Sequence, residues 1–179
     1  MSGLYTRESR SVSTMAHLRF FPLAVTGGSG AYLTRDDGRR LLDFAASWGA
    51  ASLGHAHPAV RAAVDRALSD QAGASNLSMA NDICVLLAER LLALVPGRAR
   101  GRVWFGHSGS DANETNYKLV RYWATLRGRP EKKKIISRNG GYHGLTTVSS
   151  ALTGIEAYHK AWNLPDVDIL YTSCPHHYR

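Results

Sequence analysis

The stretch from Arg102 to Thr172 restricts the fold more than any other part of this sequence. Val103-Trp104-Phe105 is a short apolar run of strand type, and Asp111 to Arg127 has helical periodicity closed by Gly128 and Pro130. Lys134-Ile135-Ile136-Ser137 reads as a second strand and Asp168-Ile169-Leu170-Tyr171-Thr172 as a third. Strand, helix, strand at this spacing predicts a βαβ unit. Its repetition requires a parallel sheet with helices on its faces, because parallel neighbours need a crossover of a dozen or more residues. The predicted class is therefore α/β. With 179 residues the chain is about one domain long, or one and part of another. Arg179 follows the third strand so closely that the sequence reads as cut off in mid-domain, with nothing to cover that strand.

Upstream, Ala31, Tyr32 and Leu33 and then Leu41, Leu42 and Phe44 flank Asp36-Asp37-Gly38, the composition of a tight turn between antiparallel strands. Gly27-Gly28-Ser29-Gly30 has no helix after it, so it lacks the context of a dinucleotide loop and reads as a turn. Pro58 suits a first helical position, and Val60, Ala63, Val64, Ala67 and Leu68 repeat at helical spacing behind it. A further helix is expected over 81–95, apolar on most sides and halted by Pro96-Gly97. Residues 1–19 are Ser/Thr-rich with Arg7, Arg10 and Arg19 against Glu8, a composition shared with organellar transit peptides; the plainer expectation is a flexible arm.

Composition removes several function classes. Hydrophobic residues at 44% and charged residues at 20% argue against disorder, collagen and coiled coil. Cys84 and Cys174 are far apart, so neither a disulfide framework nor a zinc ribbon can be built, and a reducing cytoplasm is the expected location. No apolar run approaches the roughly 18 residues of a membrane span. The net charge of +8 raises nucleic acid as a partner. However, the run Lys132-Lys133-Lys134 comes with no recognition motif and the arginines are dispersed, so neither nucleic acid nor membrane is expected. His55, His57, His176 and His177 invite a metal reading, but none stands at the i, i+4 helical spacing with an acidic third ligand, and no metal is expected.

The chemistry-bearing stretch is Trp104-Phe105-Gly106-His107-Ser108-Gly109-Ser110-Asp111-Ala112-Asn113-Glu114. A strand running into a Gly/Ser turn that opens a helix would leave the N–H groups of Gly109, Ser110 and Asp111 pointing outward at the positive end of the helix dipole, a place suited to phosphate. Ser108 or Ser110 could add a hydroxyl, and Gly109 would let the anion approach the backbone. Two other readings stand beside this one. Ser110 is a simple N-cap, with Asp111 repelling any anion, or the turn is a hydrolase nucleophile elbow, whose G-x-S-x-G pattern Gly106-His107-Ser108-Gly109-Ser110 misses by one residue. A second cluster, Asn139-Gly140-Gly141-Tyr142-His143-Gly144, falls at the carboxyl end of the second strand, where open parallel sheets bind ligands. Tyr142 could stack on a flat ligand there, or the Tyr and His could pack on their own loop.

Gly109-Ser110-Asp111-Ala112-Asn113-Glu114, Gly141-Tyr142-His143-Gly144, and Leu53-Gly54-His55-Ala56-His57-Pro58 after Leu42-Asp43 together resemble the class III pyridoxal-phosphate-dependent aminotransferases, especially the ω-amino-acid:pyruvate type. The resemblance runs from about Phe20 onward. It implies the fold-type I architecture, in part: an N-terminal arm and hairpin over 1–55 belonging to the small domain, and an incomplete large cofactor-binding domain over 56–179. It also implies pyridoxal 5'-phosphate as cofactor, amine and keto-acid substrates, and a homodimer with sites at the subunit interface. By matching position, Gly109, Ser110 and Asp111 belong to the phosphate turn, Tyr142 stacks on the pyridine ring, and His143 supports that loop. Trp48, with Phe20 and Phe21, lines the substrate pocket. The family's Schiff-base lysine, the Asp that pairs with the ring nitrogen and a partner-subunit Thr all lie on later segments than this chain contains. Lys118 cannot replace that lysine, since it lies about 12 Å down the helix from the phosphate turn. Lys132, Lys133 and Lys134 fall at the wrong end of their strand, and Lys160 has no motif around it. No catalytic residue is therefore expected within the chain, which is read as inactive alone; the competing reading is a shortened module that binds cofactor or partner without turnover.

Overall fold

A computed structural model describes residues 3–13, 21–70, 79–96, 101–165, 167–176 and 178. The chain divides into two compact units, Met1–Arg90 and Leu91–Arg179. This is a division of packing and is separate from the domain organisation that the resemblance implies.

The first unit opens with helix α1 (Gly3–Ser11), where a flexible arm was expected. It buries no residue, and local bonds such as Ser9 Oγ to the Thr6 carbonyl (2.9 Å) support it. Three strands follow, β1 (Val25–Ser29), β2 (Tyr32–Arg35) and β3 (Arg40–Leu42), in an antiparallel sheet of order β1-β2-β3. The turn expected at Asp36-Asp37-Gly38 joins β2 to β3, with Gly38 at φ +83° and Tyr32 opposite Leu42. The turn expected at Gly27-Gly28-Ser29 is instead strand β1, paired with β2 from Val25 opposite Arg35 to Ser29 opposite Tyr32. Close approach explains the glycine at 28, where a Cβ would stand 3.0 Å from His55 Cβ and 3.1 Å from the Tyr32 carbonyl oxygen. Helix α2 (Pro58–Ser69) begins at Pro58 as its position predicts, and α3 (Asp82–Leu94) occupies the second helical window. The apolar side chains of α3, Ile83, Leu86, Leu87 and Leu94 among them, are exposed in the described structure.

The second unit carries α4 (Gly109–Leu126), β4 (Ile135–Arg138), α5 (Thr147–Leu152), α6 (Glu156–Trp162) and β5 (Ile169–Thr172). β4 and β5 pair in parallel, Ile135 opposite Ile169 through Arg138 opposite Thr172, so the predicted parallel arrangement forms. Val103-Trp104-Phe105, in contrast, is not a strand: it pairs with nothing among the described residues, and a strand without a ladder partner has no hydrogen bonds to hold it. Helices α5 and α6 went unpredicted. Besides Gly144, the buried residues described in this unit are small and mostly polar: Ala124, Ser137, Ser149, Ser150, Ala151 and Thr153. Four of them lie on α5 or at its end, so the tightest packing is directly behind the loop that joins β4 to α5.

Candidate functional site

Helix α4 starts at Gly109, two residues earlier than the Asp111 expected from the sequence, because Ser108 caps it. Ser108 has extended backbone (φ −161°, ψ 166°), and its Oγ accepts from the Asp111 N–H at 3.1 Å. The cap is thus Ser108, not Ser110. Asp111 turns back as well, its Oδ2 accepting from the His107 N–H at 3.0 Å. The expectation of three outward N–H groups is corrected to two, since that of Asp111 is already taken by Ser108. The N–H groups of Gly109 and Ser110 meet no acceptor among the described residues, and a Cβ at Gly109 would meet nothing within 4 Å. Two backbone donors at a helix N-terminus, with open space before them, form an anion cradle. The carboxylate of Asp111 is withdrawn from it into the 106–107 turn.

The loop carrying Tyr142 is bonded to the same helix end. Ser110 Oγ accepts from the Leu145 N–H (3.1 Å), Asn113 Nδ2 donates to the His143 carbonyl (2.7 Å), and Glu114 Oε1 accepts from the Val148 N–H (2.8 Å) at the start of α5. From behind, the fully buried Thr153 receives the His143 N–H on its Oγ1 (2.9 Å), and that hydroxyl lies 3.0 Å from the Ser149 carbonyl and 3.3 Å from that of Gly144. Gly144 sits at φ +131°, and a Cβ there would meet the Ser110 and Ser149 hydroxyls and come within 2.9 Å of Ser110 Cα. Only glycine permits that approach. The Tyr142 ring is 56% exposed and has Tyr158 of α6 beside it, centroids 6.2 Å apart and planes tilted by 57°. His143 supports the loop through its backbone, while its ring lies against Gly141, where a Cβ would be 3.0 Å from Nε2. The structure thus joins Gly109, Ser110 and Asp111 to Tyr142 and His143 in one bonded assembly. Sequence reasoning missed Thr153 and gave Asn113 and Glu114 no role, although both belong to the motif 109–114.

The remaining predicted residues belong to the first unit. Phe21 is 70% exposed, and Phe20 lies outside the described residues. Trp48 is 85% exposed on the loop between β3 and α2. That loop contains three consecutive left-handed residues that are not glycine, Ala46 (φ 45°), Ser47 (φ 50°) and Trp48 (φ 60°). Each costs roughly 1–2 kcal/mol. The loop is closed through one carboxylate: Asp43 Oδ1 accepts from the Ala45 (2.9 Å) and Ala46 (3.0 Å) N–H groups, while Oδ2 lies 2.7 Å from His55 Nε2. The hydrogen bond from His55, with help from the two backbone donors, holds the Asp43 carboxyl below the usual carboxylate range. His55 therefore serves a carboxylate, and among the described residues no group of three or more His, Cys, Asp or Glu could hold a metal ion. No helix among the described residues is long and apolar enough to cross a membrane.

Residues 13–178 match the family model for class-III aminotransferases. The chain belongs to that family. Class-III aminotransferases depend on pyridoxal phosphate and have the fold-type I architecture, of which this α/β chain is a part. It is 38% identical over 155 residues to the diaminobutyrate–2-oxoglutarate transaminase of Halomonas elongata, covering 86% of this chain and 33% of that enzyme. It is 36% identical over 159 residues to the mitochondrial γ-aminobutyrate transaminase 1 of Oryza sativa (japonica), covering 88% and 31%. The solved ω-transaminase of Pseudomonas jessenii in complex with PMP superposes with a TM-score of 0.88 at 32% identity, covering 99% of this chain and 40% of that one. This aminotransferase chain thus spans about a third of the length of the curated relatives it matches. Two unaccepted amides, a hydroxyl and an exposed aromatic ring on the adjoining loop are a donor set that fits a phosphorylated pyridine.

Proposed function

We propose that this chain supplies the phosphate-holding and ring-stacking part of a pyridoxal-phosphate-dependent aminotransferase, which moves an amino group from an amine or ω-amino acid to a keto acid such as pyruvate. The observation that carries the reading is the placement of Ser110. Its hydroxyl accepts from the Leu145 N–H, bringing the Tyr142 loop to the helix end where the Gly109 and Ser110 amides have no acceptor. When bound, the cofactor supplies an electron-withdrawing ring and a carbonyl through which amino groups are exchanged. The chain's own residues hold and orient. Gly109 and Ser110 donate to the phosphate, and Ser110 Oγ keeps its own hydrogen for the anion because it acts toward Leu145 as acceptor. Asp111 shapes the turn, Tyr142 covers one face of the ring, and His143 anchors that cover through its backbone. Trp48, Phe20 and Phe21 form the substrate wall. The active assembly is a homodimer, and the cytoplasm is its location.

Catalysis also requires a lysine that these 179 residues do not place. Lys118 stands nine residues into α4, about 14 Å from its start, and Lys132, Lys133 and Lys134 precede β4, at the end opposite the Tyr142 loop. Lys160 is paired with Glu156 at 2.6 Å on α6. We therefore expect residues 1–179 alone to bind the cofactor weakly and to consume no pyruvate. Absorbance titration with pyridoxal phosphate, coupled to amine-dependent pyruvate consumption, tests both statements. Ser110→Ala should weaken cofactor binding about tenfold, the worth of one charge-assisted hydrogen bond. Unchanged affinity in that variant would remove the phosphate assignment, and turnover by residues 1–179 alone would overturn the second statement.

A further inference from the structure

The pair Asp43–His55 lies outside the cofactor cradle and has no part in the activity derived so far. His55 is fixed twice to the sheet, its carbonyl accepting from the Gly30 N–H (2.9 Å) and its N–H donating to the Gly30 carbonyl (2.8 Å). Gly28 and Gly54 leave room for this docking, since a Cβ on Gly54 would stand 3.1 Å from Gly30 Cα. Asp43 directly follows β3, and its side chain is 8% exposed. The two ends of the 43–55 loop are thereby joined through one carboxylate, Oδ2 to His55 and Oδ1 to the amides of Ala45 and Ala46.

What lies between them needs such closure. Ala46, Ser47 and Trp48 are left-handed in succession, a backbone state that L-residues leave unless their surroundings hold them there. The bonds inside the bend are the Gly49 N–H to the Ala45 carbonyl (3.3 Å), the Ala51 N–H to that of Ala46 (2.9 Å) and the Ala50 N–H to that of Ser47 (3.2 Å). Two of the three end on the carbonyls of Ala45 and Ala46, the residues whose N–H groups Asp43 Oδ1 holds. We propose that Asp43 and His55 are positioning residues, a clasp that keeps the 46–48 bend left-handed and so fixes where the Trp48 indole stands. Discrimination among amines by the size of their substituents then depends on the clasp, although neither clasp residue touches substrate. The inference rests on the reading of Trp48 as a substrate wall.

The experiment is a double-mutant cycle in the complete enzyme saturated with pyridoxal phosphate, using a small and a bulky primary amine. Trp48→Ala alone tests the underlying reading, and should change the bulky-to-small ratio of kcat/KM by about tenfold or more, the scale of one altered pocket wall. Asp43→Ala should shift the ratio in the same direction, through KM more than kcat. The double variant should match Trp48→Ala, because a residue acting only through Trp48 adds nothing once the indole is gone. Asp43→Asn keeps an oxygen for the Ala45 and Ala46 amides and should restore most of the ratio. Hydrogen exchange over residues 44–52, read without turnover, should accelerate at least tenfold in Asp43→Ala and His55→Ala and stay unchanged in Trp48→Ala. If the two single effects multiply in the double variant, or if exchange is unaffected by Asp43→Ala, the clasp is overturned. If Trp48→Ala leaves the ratio unchanged while exchange still accelerates in Asp43→Ala, the substrate-wall reading fails and the link to selectivity fails with it, but the loop closure stands.

Discussion

Two loops of this chain present an aromatic ring just after a strand, and they are held by different physics. The 43–55 loop follows β3 and carries Trp48; an ionised carboxylate clasps it, and its bend uses residues that pay in backbone strain. The 139–146 loop follows β4 and carries Tyr142. Apart from Glu114, the side chains bonded to it from outside the loop include the uncharged Ser110, Asn113 and Thr153, and its left-handed positions are glycines, Gly140 and Gly144. The first arrangement stores strain behind a charge. The second removes strain by omitting side chains and relies mainly on hydrogen bonds to neutral groups. A loop of the first kind responds to proton concentration, and one of the second kind responds to atoms added or removed.

The sharpest test of the second loop is Gly144→Ala. The added methyl would enter the space of the Ser110 and Ser149 hydroxyls and Ser110 Cα, at a φ that alanine does not tolerate. Overpacking and an unfavourable backbone together cost about 3 kcal/mol or more. Cofactor affinity should fall at least a hundredfold, as measured by absorbance titration, because the loop must leave the helix end. Retained affinity would mean that the two parts of the cradle are not locked together. A smaller effect is expected for Thr153→Val, which keeps the shape and removes the hydroxyl. The His143 N–H then loses its acceptor inside a buried site, at about 1–3 kcal/mol. Urea denaturation should register that loss, with a midpoint shift and an unchanged slope. Thr153→Ser, which restores the hydroxyl, should recover most of it.

The same contrast explains how much was legible in the sequence. Elements with a long internal period, α2, α3 and α4, and the parallel pair β4 and β5 declare themselves by apolar spacing, and the turn that opens α4 declares itself by its Gly/Ser run. The misses have separate causes. Helix α5 has six residues, too few to show a period, and its opening Thr146 N–H is received by Ser149 Oγ (2.9 Å) where a Glu or Gln would have been the recognisable signal. Helix α6 had a cue in Glu156 and Lys160, four residues apart and paired. Val103-Trp104-Phe105 has strand composition without a partner strand, and composition cannot report a missing neighbour. The links that make the site, Leu145 to Ser110 and Val148 to Glu114, join residues more than thirty positions apart. No local pattern encodes them. His55 and Asp43 were visible as parts of a motif, but a histidine's partner is set by the fold.

The smallest effect expected is also the one that most directly separates the two loops. The hydrogen bond from His55 lowers the Asp43 carboxyl in the folded chain relative to its ordinary value of about 3.9. Ionised Asp43 therefore stabilises the fold fully at pH values above that ordinary range, and the stabilisation is lost as pH falls through the lowered folded value. Asp37, in the β2–β3 turn, is held low in the same sense, first by its side-chain bond from Arg39 and further by the Arg35 charge. Acid titration of wild-type protein should thus show opening of the first unit below about pH 4, followed by hydrogen exchange in residues 32–55. Asp43→Asn, which cannot ionise, should remove the part of this response that falls in 44–52 and leave the Asp37 part in the hairpin. Exchange in 141–146 should be indifferent to the same substitution, because the bonds that hold that segment run to Ser110, Asn113 and Thr153 and none involves Asp43. If acid opened the Tyr142 loop in step with the Trp48 loop, and Asp43→Asn suppressed both, the two would share one electrostatic support, and the separation into a charge-held and a neutrally held loop would be wrong.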